Sequence, residues 1–164
     1  MKIYIIGSPA SGKTTLSKKL SQKYNIKRYE LDCIVHDDEN NHIRRSKEEI
    51  TKLFNNILKE KSWIIEDIGR SVFEKGREQS NKIYYIKLTQ MEVYKRVIKR
   101  WINQKIGKEE YNYPPTLFQL YDMLRVATKY HKKEKEKLKA LSKYKDKIDY
   151  LDKKKLNNII DNMI

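Results

Sequence analysis

One stretch constrains this chain more than any other: KIYIIGSPASGKTTLSKKL, residues 2–20. Residues 2–6, KIYII, are β-branched and aromatic and read as a short buried strand. They run directly into Gly7-Ser8-Pro9-Ala10-Ser11-Gly12-Lys13-Thr14, which satisfies G-x-x-x-x-G-K-[ST] in full. A basic helix comes next, with Leu16, Leu20 and Tyr24 spaced by four on one face of residues 13–24. Strand, glycine-bounded turn and helix in that order form an anion cradle. Glycines let the backbone approach a phosphate closely. The turn's N–H groups converge on phosphate oxygens, and the helix N-terminus adds partial positive charge. Lys13 reaches the β- and γ-phosphates, the Thr14 hydroxyl is placed to ligate Mg²⁺, and Thr15 is next in line to touch the α-phosphate. A chance match has an expectation well under ~1% in a chain of this size, so residues 7–15 are assigned to ATP or GTP rather than to chain reversal.

The remaining pattern alternates strands with helices. IKRYELD reads as a second strand, SWIIED as a third, NKIYYIKL as a fourth and KDKIDYLD as a fifth. Between them, residues 46–60 open with Ser46 and Glu49 at capping-box spacing and carry Ile50, Leu53, Phe54, Ile57 and Leu58 on one face. Thr89 caps a basic helix running to about Gln104. IGKEEYNYPP, with Gly107 and the Pro114-Pro115 pair, is a loop or flap. Residues 116–142 read as one long helical stretch, and LNNIIDNMI as a closing helix. Strands separated by helices imply parallel pairing, hence a three-layer α/β fold in a single domain, residues 1–164.

Composition excludes several classes. There is no run of 18 apolar residues, no secretory signal pattern and no fixed-period repeat, so neither a membrane partner nor a solenoid is expected. The lone Cys33 allows no internal disulfide and fits a reducing, cytoplasmic setting. The 37 Lys+Arg against 22 Asp+Glu leave +15. That charge has two readings: attraction of nucleic acid or nucleotides, or a compositional bias in a chain crowded with Lys, Ile, Asn and Tyr. In YHKKEKEKLKALSKYKDK the lysines interleave with glutamates, as on a solvated helix face. No helix-turn-helix, zinc-finger or RNA-binding signature accompanies them. His36, His42 and His131 form no metal set. Trp63 and Trp101 read as packing residues.

Three features bear on the use made of a bound phosphate. WIIEDIGR delivers Glu66 and Asp67 to the sheet's carboxyl edge, with Arg70 just beyond. The stretch is similar to the adenylate kinase element FLLDGFPR: Glu66 matches the acid, Gly69 the proline and Arg70 the arginine that grips an acceptor's phosphate. Asp67 stands where that element has glycine. The competing reading makes the acids a turn or helix cap and Arg70 a surface ion pair. RYELDCI places Glu30 and Asp32 two apart on the expected second strand, thus on one face. This looks like the paired-acid element of shikimate and gluconate kinases, in which one acid holds a Mg²⁺-bound water and Asp32 orients or deprotonates a hydroxyl. Candidate metal contacts are therefore Thr14, with Glu30 and Glu66 through water. Arg96 and Arg100 lie four apart before the flap, where lid arginines of nucleoside-monophosphate kinases clamp the transferring phosphoryl. Arg125 and Lys129 are secondary candidates.

With IYIIGSPASGKTTLSKKL, LDCIVHDD, SWIIEDIGR, KRW, YPPTLFQLYDM and YKDKIDYL in hand, nearly the whole chain resembles a bacterial family. This is the adenylate kinase-related group known as DNA topology modulation proteins, FlaR-type. The resemblance implies a P-loop kinase fold, a five-stranded parallel sheet of order 2-3-1-4-5, a lid and ATP·Mg²⁺. On that basis residues 33–60 are the expected acceptor region and 100–116 the lid, packed by Tyr111-Asn112-Tyr113-Pro114-Pro115. Asp32, Arg44 and Arg70 are the candidate acceptor contacts, and Arg44 with Arg45 suggests an anionic acceptor. The expected activity is ATP-dependent phosphoryl transfer to a small hydroxyl- or phosphate-bearing molecule. The alternative is a nucleotide-dependent, nucleic-acid-binding regulator. Monomer and homodimer both remain open.

Overall fold

The computed structural model describes residues 1–37, 43–109 and 114–163. Strand β1 (Lys2–Gly7) leads through the phosphate loop into α1 (Lys13–Tyr24) and then β2 (Arg28–Glu30). A short helix α2 (Leu31–Val35) precedes the two-residue strands β3 (His36–Asp37) and β4 (Ile43–Arg44), which pair antiparallel as a ribbon of their own. Then come α3 (Lys47–Leu58), β5 (Trp63–Asp67), a 3₁₀ turn at Ser71–Phe73, α4 (Glu74–Gln79) and β6 (Lys82–Ile86). Helices α5 (Gln90–Lys105), α6 (Leu117–Lys132) and α7 (Glu134–Leu141) lead to a 3₁₀ turn at Ser142–Tyr144, β7 (Ile148–Leu151) and α8 (Lys153–Asp161).

The chain divides into two compact units. The first comprises Met1–Gly7, Gly12–Ile86 and Tyr144–Ile164. It contains the five-stranded parallel sheet, order β2-β5-β1-β6-β7, of an α/β fold with helices on both sides. β3 and β4 shift the strand numbers, and counting only the sheet strands in chain order gives 2-3-1-4-5. The middle of the sheet is dry: Ile3, Tyr4, Ile5 and Ile6 of β1 and Trp63, Ile64 and Ile65 of β5 are essentially buried. Continuous burial of this kind is what a central parallel strand requires. The register then aligns Ile5 with Glu66 and Glu30 with Glu66, so acids collect at the carboxyl ends of β2 and β5. The second unit, Ser8–Ser11 with Lys87–Lys143, holds α5, α6 and α7. Among its buried residues are Leu88, Val93, Val97, Ala127, Tyr130 and Leu141.

Helix starts obey the capping chemistry in the sequence. Ser46 with Glu49, and Thr89 with Glu92, each form a complete capping box. Three expectations are corrected. The second strand ends at Glu30, because the chain turns into α2 at Leu31, so Asp32 is helical and does not share a strand face with Glu30. The long stretch 116–142 is two helices, broken at Lys133, whose φ of −97° and ψ of 6° leave the helical region. Helix α4 is an addition to the expected elements. Its sequence EKGREQ shows little apolar periodicity, yet a parallel β5–β6 connection needs a crossover of about a dozen residues or more.

Gly76 permits that crossover to close on the sheet. A Cβ there would lie 2.8 Å from Tyr4 Cε2 and 2.9 Å from Phe54 Cζ, both in buried rings. Gly76→Ala is therefore expected to lower stability by about 1–3 kcal/mol, overpacking outweighing the gain of about 1 kcal/mol in helix propensity. Urea denaturation checks this; an unchanged or raised midpoint contradicts the close packing.

Candidate functional site

The loop after β1 has the backbone geometry of an anion cradle. Gly12, the N-cap of α1, adopts φ 102° and ψ 13°, a left-handed conformation that favours glycine, and supplies no side-chain cap to the helix. Ala10 is also left-handed at φ 56°, whereas Gly7 simply ends β1. The Ser11 N–H donates to the Ser8 carbonyl at 3.2 Å and tightens the turn. Ser8 and Ser11 are buried, Pro9 is half-buried, and Thr15 is exposed on α1.

Lys13 begins α1 and is half-buried. Burial lowers its ammonium pKa, and the charges of Glu66, Asp32 and Asp67 oppose that shift. Thr14 is the next residue, and its hydroxyl donates to Glu66 Oε2 at 2.9 Å. Ser17, one turn on, donates to Glu66 Oε1 at 2.9 Å, and Arg28 reaches the same oxygen at 3.4 Å. Arg28 also pairs with Glu30, so it bridges the two acids brought level by the β2–β5 register. Glu66 is only 5% exposed. Burial, and then Glu30, raise its pKa; Lys13 and the two hydroxyls pull it back toward the charged form.

Among the described residues no three His, Cys, Asp or Glu side chains cluster as a metal cage. The paired oxygen donors of Thr14 and Glu66 fit Mg²⁺, which takes a few hard ligands and completes its shell with water and phosphate. Glu30 stands opposite Glu66 in the register, and Arg28 Nη1 donates to both acids. Ser17 and Arg28 are not singled out by the sequence. Their signals are the i+3 spacing of Ser17 from Thr14 and the alternation of Arg28 with Glu30, but neither means anything until β2 and β5 are aligned.

Asp67 does a different job. Its buried carboxylate accepts from the backbone N–H of Gly69 at 2.8 Å and of Arg70 at 2.6 Å, and pairs with Arg70 Nη1 at 2.5 Å. The chain pivots there on Gly69 at φ 81°. Arg70 Nη2 donates to Asp32 Oδ1, which reaches it from the first turn of α2. From behind, buried Arg77 donates to the Arg70 carbonyl at 2.9 Å. Thus Asp32 and Arg70 meet each other, and Asp32 does not meet Glu30.

The other candidates are more scattered. Arg45 donates to the carbonyls of Cys33 and His36 at 2.6 and 2.7 Å and pairs with Asp37 at 2.9 Å. It therefore braces the ribbon rather than offering an anion site, while Arg44 is exposed on β4. Within the second unit, Arg96 Nη1 donates to the Ser11 carbonyl at 2.7 Å. Arg100 pairs with Glu109 at 3.2 Å, and Arg125 with Asp122 at 2.5 Å. Lys129 is exposed. Trp63 is fully buried, and Trp101 Nε1 donates to the Thr116 carbonyl at 3.0 Å, so both are packing or tying residues. His36 sits in β3 and His131 near Glu134, while His42 and Tyr111-Asn112-Tyr113 lie outside the described residues.

A family model described as AAA domain (AAA_18) matches residues 3–113, more than half of the chain. This chain belongs to the AAA domain family. The match takes in the phosphate loop, the Glu66 cluster and the Asp32–Arg70 pair of this AAA domain. An adenylate kinase of Wigglesworthia glossinidia brevipalpis is 31% identical over 126 residues, 66% of this chain and 60% of that protein. The AAA domain chain thus spans less than two thirds of that relative's length. Among solved structures, shikimate kinase from Bacteroides thetaiotaomicron superposes with a TM-score of 0.57 at 13% identity, over 99% of this chain and 95% of that one. This likeness shows the fold: the AAA domain here has the P-loop kinase architecture. Among the described residues no helix is long and apolar enough to cross a membrane.

The burial of Glu66 has a stability consequence. Its folded pKa is raised, so the fold holds the proton more tightly than the unfolded chain does. Its contribution is most favourable below the ordinary glutamate pKa of about 4.3 and is lost as pH rises through the folded value. Glu66→Gln is expected to leave the nucleotide-free protein equally or more stable near pH ~7, with that gain shrinking below pH ~4. The same variant should gain less than the natural protein in melting temperature when ATP and Mg²⁺ are added. Scanning calorimetry across pH reads both effects; a destabilised variant without nucleotide near neutral pH contradicts the assigned cost of burying this acid.

Proposed function

We propose that this AAA domain is an ATP·Mg²⁺-dependent phosphotransferase acting on a small acceptor molecule. The observation that carries the proposal is the Thr14–Glu66 contact at 2.9 Å, made by the residue that follows Lys13 at the end of the phosphate loop. It combines a phosphate cradle with a buried acid–hydroxyl pair suited to Mg²⁺.

In this reading the backbone of Gly7, Ser8, Pro9, Ala10, Ser11 and Gly12, with Lys13 and Thr15, holds the nucleotide phosphates. Thr14 ligates Mg²⁺, Glu66 acts through water, and Ser17 and Arg28 fix the Glu66 carboxylate. When bound, Mg²⁺ neutralises phosphate charge and polarises the phosphorus–oxygen bond to be broken. Arg96, tied to the Ser11 carbonyl, and Arg100 supply guanidinium charge to the transferring group. Asp32 and Arg70 orient the acceptor, residues 33–60 carry its binding region, and 100–116 act as the lid. ATP is taken as the donor in this reading, and the relative named adenylate kinase supports a nucleotide-dependent kinase activity. The lone, exposed Cys33 supports a reducing, cytoplasmic setting.

A second reading rests on the +15 charge and on the FlaR-type resemblance, whose name concerns DNA topology. It makes the same fold a nucleotide-dependent regulator that binds nucleic acid. One experiment separates the two: ADP release with ATP and Mg²⁺, measured against small acceptors and, separately, duplex DNA. Acceptor-stimulated turnover that falls by ~100-fold or more in a folded Lys13→Ala variant is the expected result. Full activity in that variant overturns the phosphotransferase reading, and turnover that rises only with DNA moves the conclusion to the regulator.

A further inference from the structure

The paired arginines of the sequence suggest an anionic acceptor, but the charges around Arg70 point the other way. One guanidinium there is shared by two carboxylates, Asp67 on Nη1 and Asp32 on Nη2. Asp67 is fully enclosed and also accepts two backbone N–H groups, so it cannot swing away without leaving them unpaired. Both terminal nitrogens of the Arg70 guanidinium are thus already taken by carboxylates. The other cations nearby have partners of their own: Arg28 has Glu30 and Glu66, Arg45 has Asp37 and backbone carbonyls, buried Arg77 has the Arg70 carbonyl, and Lys13 is drawn first to Glu66 and then to Asp32 and Asp67. Asp32 is the exposed member, with 63% of its side chain accessible against 22% for Arg70. A ligand arriving here therefore meets a carboxylate first and the guanidinium second.

We propose that the Asp32–Arg70–Asp67 cluster selects an uncharged, hydroxyl-bearing acceptor and turns away phosphate-bearing ones. This deepens, and rests on, the phosphotransferase reading above. Arg70 acts as the positioning residue: by fixing Oδ1 of Asp32 it aims the remainder of that carboxylate at the acceptor. In the transfer, the acceptor O–H proton passes to Asp32 and the acceptor oxygen forms a bond to the γ-phosphorus of ATP. The bond from that phosphorus to the β,γ-bridging oxygen breaks, and its electron pair leaves with ADP. A phosphate approaching the same place meets like-charge repulsion from Asp32 and must displace it from Arg70 before any favourable contact forms.

Two measurements on the full chain test this together. The first is ADP release with matched pairs of acceptors, nucleosides against their monophosphates and polyols against their phosphate esters. In at least one pair the neutral member is expected to drive turnover, with its phosphorylated mate about tenfold or more less effective. The second uses inorganic phosphate as probe, titrated calorimetrically with the phosphate loop already filled by a non-hydrolysable ATP analogue and Mg²⁺. Asp32→Asn is expected to bind it about tenfold or more tightly than the natural protein. The inference is overturned if a phosphorylated mate is the better acceptor, if no neutral member raises turnover, or if Asp32→Asn gains no affinity for phosphate. Failure of the ATP analogue to bind at all is a different result, and sinks the phosphotransferase reading itself.

Discussion

A carboxylate at the end of a buried strand organises this molecule. Glu66 lies near the end of β5 with only 5% of its surface in water, and three donors from two elements converge on it: Thr14 and Ser17 from α1 and Arg28 from β2. Hydrogen bonds to a charged group are worth about 1.5–3 kcal/mol each, and an unpaired buried acid is costly. Keeping Glu66 in place therefore demands that β2, β5 and the phosphate-loop helix meet at a fixed register, and the parallel pairing Glu30 opposite Glu66 is that register. A helix that opens with an uncapped N-terminus and a half-buried lysine is then held close to an acid. These features cost the empty protein stability and match what the proposed phosphate and Mg²⁺ site requires.

The next residue along the strand illustrates how adjacent acids diverge. Glu66 and Asp67 point to opposite sides of β5, as successive strand residues must. One faces the phosphate-loop helix; the other turns the chain, caps its own loop and fixes Arg70. Arg77 supports the same turn from below, so the Arg70 guanidinium is held by a carboxylate at each terminal nitrogen, and its backbone carbonyl by a buried arginine. An arginine held this firmly is preorganised, which is what the positioning role proposed for it requires.

Much of this is legible in the sequence where local chemistry dictates structure. The phosphate loop, the five sheet strands and the Ser46–Glu49 and Thr89–Glu92 caps are each written in a few consecutive residues. Sequence pattern fails where tertiary contacts decide. Residues 31–35 lack the length to signal a helix, so Asp32 reads as strand, and its partner is Arg70, far along the chain, rather than Glu30. Helix α4 is hidden by its charge and by Gly76, whose missing side chain makes sense only beside Tyr4 and Phe54. Arg45 looks like an anion contact because its carbonyl and Asp37 partners are set by the ribbon, not by its neighbours in sequence.

Calorimetric titration of the intact protein with ATP, in the presence and absence of Mg²⁺, probes the Thr14–Glu66 pair without intermediaries. A site built from Lys13, Thr14 and the buried Glu66 carboxylate predicts binding in the micromolar range with Mg²⁺, weakened about tenfold or more when the metal is chelated. Binding that is indifferent to Mg²⁺, or absent altogether, would contradict the role assigned to that pair.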